Sequence, residues 1–235
     1  MSRLNRFVAL LVGVVLTLTL AYGANARIRN VVREPFNGTA PELGHRWHDI
    51  DGDWRRGKGS ARIVEGSVSA RTNVAYSVRK LQSSYGKRGL AVTSKVRLSP
   101  GWSNIGIVGP FRGAGNHLFC KIERTKPHPE GFLAIGRRLN GHKPEILAHE
   151  NQIGVIGGDR YILKATRKGA NTTCSISQNG SRLGRLTYTM RAADRAAFGS
   201  GRKVGLRIRL VARGTRRDED DGRSRFERFV VKTMS

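Results

Sequence analysis

Beyond Arg27 the apolar residues of this chain recur mostly with a period of two. In Leu90-Ala91-Val92-Thr93-Ser94-Lys95-Val96-Arg97-Leu98, the side chains of Leu90, Val92, Val96 and Leu98 fall on one face, and those of Thr93, Lys95 and Arg97 on the other. Successive residues of a strand point to opposite sides, so this spacing predicts a half-buried β-strand. Leu118, Cys120 and Ile122 alternate with Phe119, Lys121 and Glu123, and Cys174 and Ile176 with Thr173, Ser175 and Ser177. Both cysteines therefore point toward a core. Further strands are predicted at 105–108, 132–137, 161–167, 185–188, 204–212 and 226–232, and a short helix at 190–198. Ser99-Pro100-Gly101, Asn140-Gly141, Gly157-Gly158-Asp159, Asn179-Gly180 and Asp221-Gly222 supply the turns. Many short strands separated by such turns spell an all-β sandwich or barrel. No repeat, linker or low-complexity tract divides the chain, so residues 27–235 read as a single domain with its core from about 35 to 232.

The first residues read as an address. Arg3 and Arg6 precede an apolar run from Phe7 to Leu20, followed by Ala24-Asn25-Ala26, a small-x-small cleavage signature. Residues 1–26 are expected to be a secretory signal peptide. The apolar run falls short of the ~20 residues that span a bilayer, so no transmembrane span is expected in the mature chain. The formal charge of +26 loses only two arginines with that segment, leaving +24 on a secreted or extracytoplasmic protein, with the cell surface as one destination. Export favours a disulfide between Cys120 and Cys174, the two cysteines of the chain, although two buried free thiols also fit their spacing. Neither belongs to a C-x-x-C pair, which disfavours zinc.

Several segments resemble the concanavalin A-like jelly rolls, in particular the LamG-like secreted domains. Phe36, Trp47 and Gly52-Asp53-Trp54 are similar to the opening of those domains, and Asn116-His117-Leu118-Phe119-Cys120-Lys121-Ile122 to their central strand. Gly131-Phe132-Leu133 with Ile146-Leu147-Ala148 looks like the hairpin that follows, and Tyr161-Ile162-Leu163-Lys164-Ala165 like the next strand, whose partner ends at Asn179-Gly180. Val204-Gly205-Leu206 and Phe226-Glu227-Arg228-Phe229-Val230-Val231 resemble the terminal strands, with Glu227 where Asp is commoner. The resemblance covers nearly the whole mature chain. It implies an antiparallel jelly-roll β-sandwich and a carbohydrate-facing ancestry, with Trp47 and Trp54 in the core.

Chemistry is harder to assemble. Glycoside hydrolysis needs two carboxylates at a set separation, and laminarinase-type relatives carry them as E-x-D-x-E on one strand, a string this chain lacks. Asp49-Ile50-Asp51-Gly52-Asp53 has the alternation without a Glu, and a Ca²⁺ loop built on it would place Trp54 and Ser60 where Gly and Glu belong, so the run is expected to be a solvated acidic turn. Alginate-lyase-type jelly rolls use R-x-E, Q-I-H and Y-x-K-x-G-x-Y-x-Q. Here Gln152-Ile153-Gly154 lacks the His, Tyr161 and Lys164 lack the residues that follow, and Arg225-Phe226-Glu227 lies at the wrong end. His45 and His48 have no third ligand nearby, and no G-x-S-x-G elbow is present.

Binding residues are more readable. A sugar packs its C–H face on an aromatic ring while its hydroxyls seek polar neighbours. Trp102, in a loop between two predicted strands, has that character, and Arg112, Asn116 and His117 border the next loop, where they are expected to line the same end of the sandwich. The basic residues are scattered without an aromatic-plus-basic motif, and export removes most nucleic-acid partners, so nucleic acid is disfavoured. Anionic wall polymers, acidic glycans and anionic membrane surfaces suit the charge. The mixed run 216–223 is expected to be the solvated tip of the last hairpin, with no Ca²⁺ site indicated. The sequence reading is a non-catalytic, lectin-like domain for a glycan or acidic cell-surface polymer, without a cofactor or metal. A polysaccharide lyase or glycoside hydrolase acting on an acidic polysaccharide is the alternative, and a structural surface module is a third reading. Asn37, Asn171 and Asn179 begin N-x-S/T sequons.

Overall fold

The computed structural model describes residues 30–38, 42–64, 74–82, 89–210 and 223–234. The expected signal peptide and most of the 216–223 run lie outside them. Fifteen described strands follow in chain order. They are β1 (Asn30–Glu34), β2 (Trp47–Asp51), β3 (Trp54–Gly57), β4 (Ser60–Ile63), β5 (Val74–Lys80), β6 (Gly89–Arg97), β7 (Ser103–Gly113), β8 (Asn116–Thr125) and β9 (His128–Arg138). The remainder are β10 (Glu145–Asn151), β11 (Arg160–Lys168), β12 (Asn171–Gln178), β13 (Ser181–Thr189), β14 (Lys203–Arg209) and β15 (Arg225–Met234), with one short helix, α1 (Ala192–Phe198), before β14.

These strands form two antiparallel sheets. The eight-stranded sheet runs β13-β12-β11-β6-β15-β4-β3, with β1 also paired to β15. The seven-stranded sheet runs β10-β9-β8-β7-β14-β5-β2. The alternation read at 90–98 holds: Val92 and Val96 of β6 enter the core between the sheets, while Thr93 and Lys95 face outward. Trp54, Tyr161, Phe226 and Phe229 are fully buried in that core, and Trp47 packs edge-on to Phe229 at 5.2 Å between centroids. Each such ring removes enough apolar surface from water to contribute about 2–3 kcal/mol. Trp47 and Trp54 are core residues, as the resemblance implied.

Cys120 on β8 and Cys174 on β12 form a disulfide with Cα atoms 5.6 Å apart, so the bridge crosses the core and ties one sheet to the other. Asn179 and Gly180 both have positive φ, 50° and 85°, and close the β12–β13 hairpin in the two-residue turn their sequence favours. Helix α1 begins two residues later than 190–198 suggested. Its Asp194 carboxylate is fully buried, accepts from the Arg191 backbone N–H at 2.9 Å and the Tyr188 hydroxyl at 2.5 Å, and pairs with Arg137 of β9. Phe198 and Met190 pack with Leu118 beneath it.

Strands β1 to β5 are the main departure from the sequence reading. β1 to β4 are four or five residues long, all five lie toward one side of both sheets, and in β2 Asp49 and Asp51 stand at positions that alternation from Trp47 would make apolar. The expected acidic turn is a correction of this kind, since Asp49 to Asp51 belong to edge strand β2, paired with β5. There Asp49 accepts a 2.6 Å hydrogen bond from the Ser77 hydroxyl, and burial raises its pKa. Only Gly52 and Asp53 remain as the turn, where Asp53 pairs with Arg55 at 2.8 Å. Among the described residues no helix is long and apolar enough to cross a membrane, and no three His, Cys, Asp or Glu side chains gather as a metal site.

Candidate functional site

The outward face of the seven-stranded sheet carries an unusual set of buried polar groups. On β8 the even residues Cys120 and Ile122 enter the core, so Phe119, Lys121 and Glu123 face out. On β14, Leu206 and Ile208 enter the core and Arg207 faces out. Strand register then places His149, Ala134, Lys121, Gly106, Arg207 and Tyr76 in one row across six adjacent strands. Gly106 separates the two cations, and a Cβ there would meet the Cys120 carbonyl oxygen at 2.6 Å, so no larger residue fits.

Glu123 holds the Lys121 end of this row together. Glu123 pairs with the Lys121 ammonium, accepts from the Asn104 amide at 3.1 Å and accepts from the Thr125 hydroxyl at 3.2 Å. The Asn104 carbonyl in turn accepts from the Arg207 guanidinium at 2.8 Å. Arg207 stacks over Phe119 at 4.8 Å and the Lys121 ammonium lies 5.4 Å from the centre of the Phe132 ring. Taking a charge out of water is costly, and burial lowers the pKa of Lys121 to about 8 against the pull of Glu123, while it also lowers that of Arg207. Burial works to raise the Glu123 pKa, but Lys121 and the Thr125 hydrogen bond outweigh it and the net shift is downward. Lys121 and Arg207 share Glu123, so this three-residue cluster is net positive, and the register carries the row on to Asp51 of β2, opposite Tyr76.

Where β9 begins and β10 ends, the row meets a stack of rings. His128 lies on Phe132 with centroids 4.6 Å apart and planes 25° apart, and Phe132 on His149 at 5.4 Å and 21°. Phe132 is buried, His128 half-buried and His149 exposed, so the pile opens toward solvent at its histidine ends. Beside it lies an open depression of about 480 Å³ lined by His128, Glu130, Gly131, Asn151 and Gln152.

The residues expected from sequence separate into two places. Trp102 precedes β7 at this same end of the sheet, half-buried, with the Arg124 guanidinium 5.7 Å from its ring and also donating to the Gly101 carbonyl at 2.6 Å. Arg112, Asn116 and His117 lie at the opposite end of β7 and β8, roughly 30 Å away at ~3.3 Å per residue, so the single shared end expected for all four does not form. Arg112 is exposed and reaches the Ala197 carbonyl of α1 at 3.4 Å, and the Asn116 side-chain oxygen accepts from the Asn140 N–H at 2.9 Å. His117 is fully buried, stacked on Phe111 at 5.0 Å and edge-on to Tyr76 at 5.0 Å. Burial lowers its pKa to about 4, against the hydrogen bond to the Gly113 carbonyl. The lyase-like fragments stay apart: Tyr161 is in the core, Glu227 pairs with Arg160 on the eight-stranded sheet, and Gln152 lines the depression of the other sheet.

Sequence reasoning overlooked Lys121, Glu123, Arg207, His128 and His149 as a group. The alternation of β8 marked Lys121 and Glu123 as outward, but the partners that give them meaning come from β9, β10 and β14.

No protein-family model and no curated protein matches the chain. Solved structures do match in shape. The CBM2 module of the evolved Dit of Lactobacillus casei BL23 phage J-1 superposes with a TM-score of 0.60 at 10% identity, covering 89% of this chain and 97% of that one. The fold is the concanavalin A-like jelly roll. Peanut lectin, solved with a nonamer peptide, shares this concanavalin A-like architecture at a TM-score of 0.56 and 10% identity, over 90% of this chain and 98% of the lectin. The GH43 protein BlXynB of Bacillus licheniformis matches at 0.56 and 14% identity over 86% of this chain, but the match spans only 39% of that enzyme.

Proposed function

We propose that the chain is an exported, non-catalytic concanavalin A-like domain that binds an acidic glycan at the end of its seven-stranded sheet where His128, Phe132 and His149 stack. The observation that carries this reading is the open ring stack set against the net-positive Lys121–Glu123–Arg207 cluster. A sugar ring lays its C–H face on the exposed imidazole, its hydroxyls meet Asn151 and Gln152, and its carboxylate or sulfate is drawn by the excess positive charge. Export is supported by the N-terminal signal signature and by the disulfide, which persists in oxidising compartments. The carbohydrate-binding and lectin neighbours support a glycan ligand by analogy of fold. Binding is preferred to hydrolysis because Glu123 is already held by three donors, while cleaving a glycosidic bond takes two working carboxylates.

Titration calorimetry with uronic-acid oligosaccharides, at low and moderate salt, tests the reading. Saturable binding that survives moderate salt and weakens about tenfold in His149→Ala is expected. Affinity unchanged in that variant, or binding that vanishes with salt and shows no sugar preference, would leave only a charged surface.

A further inference from the structure

A second basic depression lies on the opposite side of the sandwich and rests on no part of the glycan reading. It measures about 340 Å³ and opens between β1 of one sheet and the β2–β5 pair of the other, lined by Val32, Arg46, His48, Arg79, Lys80 and Gln82. Arg46 lies just before β2, and Arg79 pairs in the ladder with Trp47, the neighbour of Arg46, so the cations come from adjacent positions of the β2–β5 edge pair. Three permanent cations face a single described carboxylate, Glu34, whose oxygen is 3.8 Å from the Arg79 guanidinium. That is long for a charge-assisted contact, which closes to ~2.7–2.9 Å when the pair is well formed. The other Glu34 oxygen accepts from the Phe36 backbone N–H at 3.1 Å, so Glu34 is divided between two duties. The Arg79 side chain is only 14% exposed. Arg46 and Arg79 line the same depression, and burial, then repulsion from Arg46, lower the Arg79 pKa against the pull of Glu34.

We propose that this depression binds a tetrahedral oxyanion, a sulfate or phosphate group, between Arg46 and Arg79, with Lys80 at the rim. A guanidinium presents a planar fork of N–H donors that matches two oxygens of such a group, and an anion held by two forks relieves their mutual repulsion. The site takes the group either as a free ion or as an ester on a larger chain, and the chemistry at the arginines is the same.

The arginine Nε–Hε signals of the full mature chain report on the site directly. They are followed by NMR as sodium sulfate replaces sodium chloride at constant ionic strength. The expected result is a saturable shift at Arg46 and Arg79, an affinity about tenfold weaker in Arg46→Gln, and a tighter one in Glu34→Gln, which keeps the acceptor for Phe36 but removes the competing charge. Arg46 is exposed, so its replacement leaves the fold intact. A shift that stays linear with sulfate, or is unaltered in Arg46→Gln, would mean an adventitious ion only and would overturn the proposal. A sulfated oligosaccharide and its unsulfated parent then separate the sources. Shifts at the same two arginines with the sulfated chain identify an ester as ligand, and shifts with inorganic sulfate alone identify the free ion.

Discussion

Acid should unfold this protein in a window set by one histidine. His117 is sealed among Phe111, Tyr76 and Phe119 on the outward face of the seven-stranded sheet, and titrates near pH 4 instead of its ordinary 6.5 because the charged form cannot reach water. Between those values the unfolded chain binds a proton that the folded chain refuses, so stability is complete above pH 6.5 and falls as the pH drops toward 4. At ~1.36 kcal/mol per pH unit, the loss across the window is about 3 kcal/mol, a large fraction of the 5–15 kcal/mol typical of a domain. The carboxylates of Glu123 and Asp194 have lowered pKa values, so their contributions disappear mainly below this window. Urea denaturation at pH 7, 6, 5 and 4 measures the slope. The variant His117→Phe keeps a ring against Phe111 and Tyr76 but cannot titrate, and its stability should be flatter by about 3 kcal/mol over the same range, whatever it costs at pH 7. Parallel pH profiles for the variant and the parent would refute the argument.

Glu123→Gln should cost about 3 kcal/mol or more in urea denaturation at pH 7, since it leaves Lys121 and Arg207 buried without a compensating charge. The same variant should regain part of that loss as the pH rises, and at lower pH than the parent's lysine titrates, because Glu123 is what holds the Lys121 pKa up at about 8. Replacing Cys120 and Cys174 together by Ala should lower stability by about 4 kcal/mol, because the bridge closes a separation of 54 residues in the unfolded chain, and calorimetric melting under non-reducing conditions checks it. Asp194→Asn strips the buried charge that pairs with Arg137, so proteolysis should open the 190–202 segment first while the far-ultraviolet strand signal persists.

The strands were legible wherever one face met the core and the other met water. Strand β6 shows this clearly, since its alternation of Val92 and Val96 with Thr93 and Lys95 is also its alternation of core and surface. The same pattern predicted that Cys120 and Cys174 both point inward, and the disulfide follows from their meeting across the sandwich. It failed at β2, where an edge position lets Asp49 and Asp51 stay partly solvated inside a strand. Helix α1 lost its first two residues because Asp194 captures the Arg191 backbone N–H and starts the helix there. Trp102 stood out as a ring in a loop, but its separation from Arg112 and Asn116 depended on the length of β7.

The sequence by itself determined an all-β chain with alternating faces, its hairpin turns, its two inward cysteines and a charge of +26. These are local properties, set by each residue and its near neighbours along the chain. Only the tertiary structure decided that Lys121 and Arg207 share Glu123 through Asn104, that His128 and His149 enclose Phe132, and that Arg46 and Arg79 face one weakly placed carboxylate. Those arrangements join residues from strands far apart in sequence, and register across a sheet is settled by the packing of the whole sandwich.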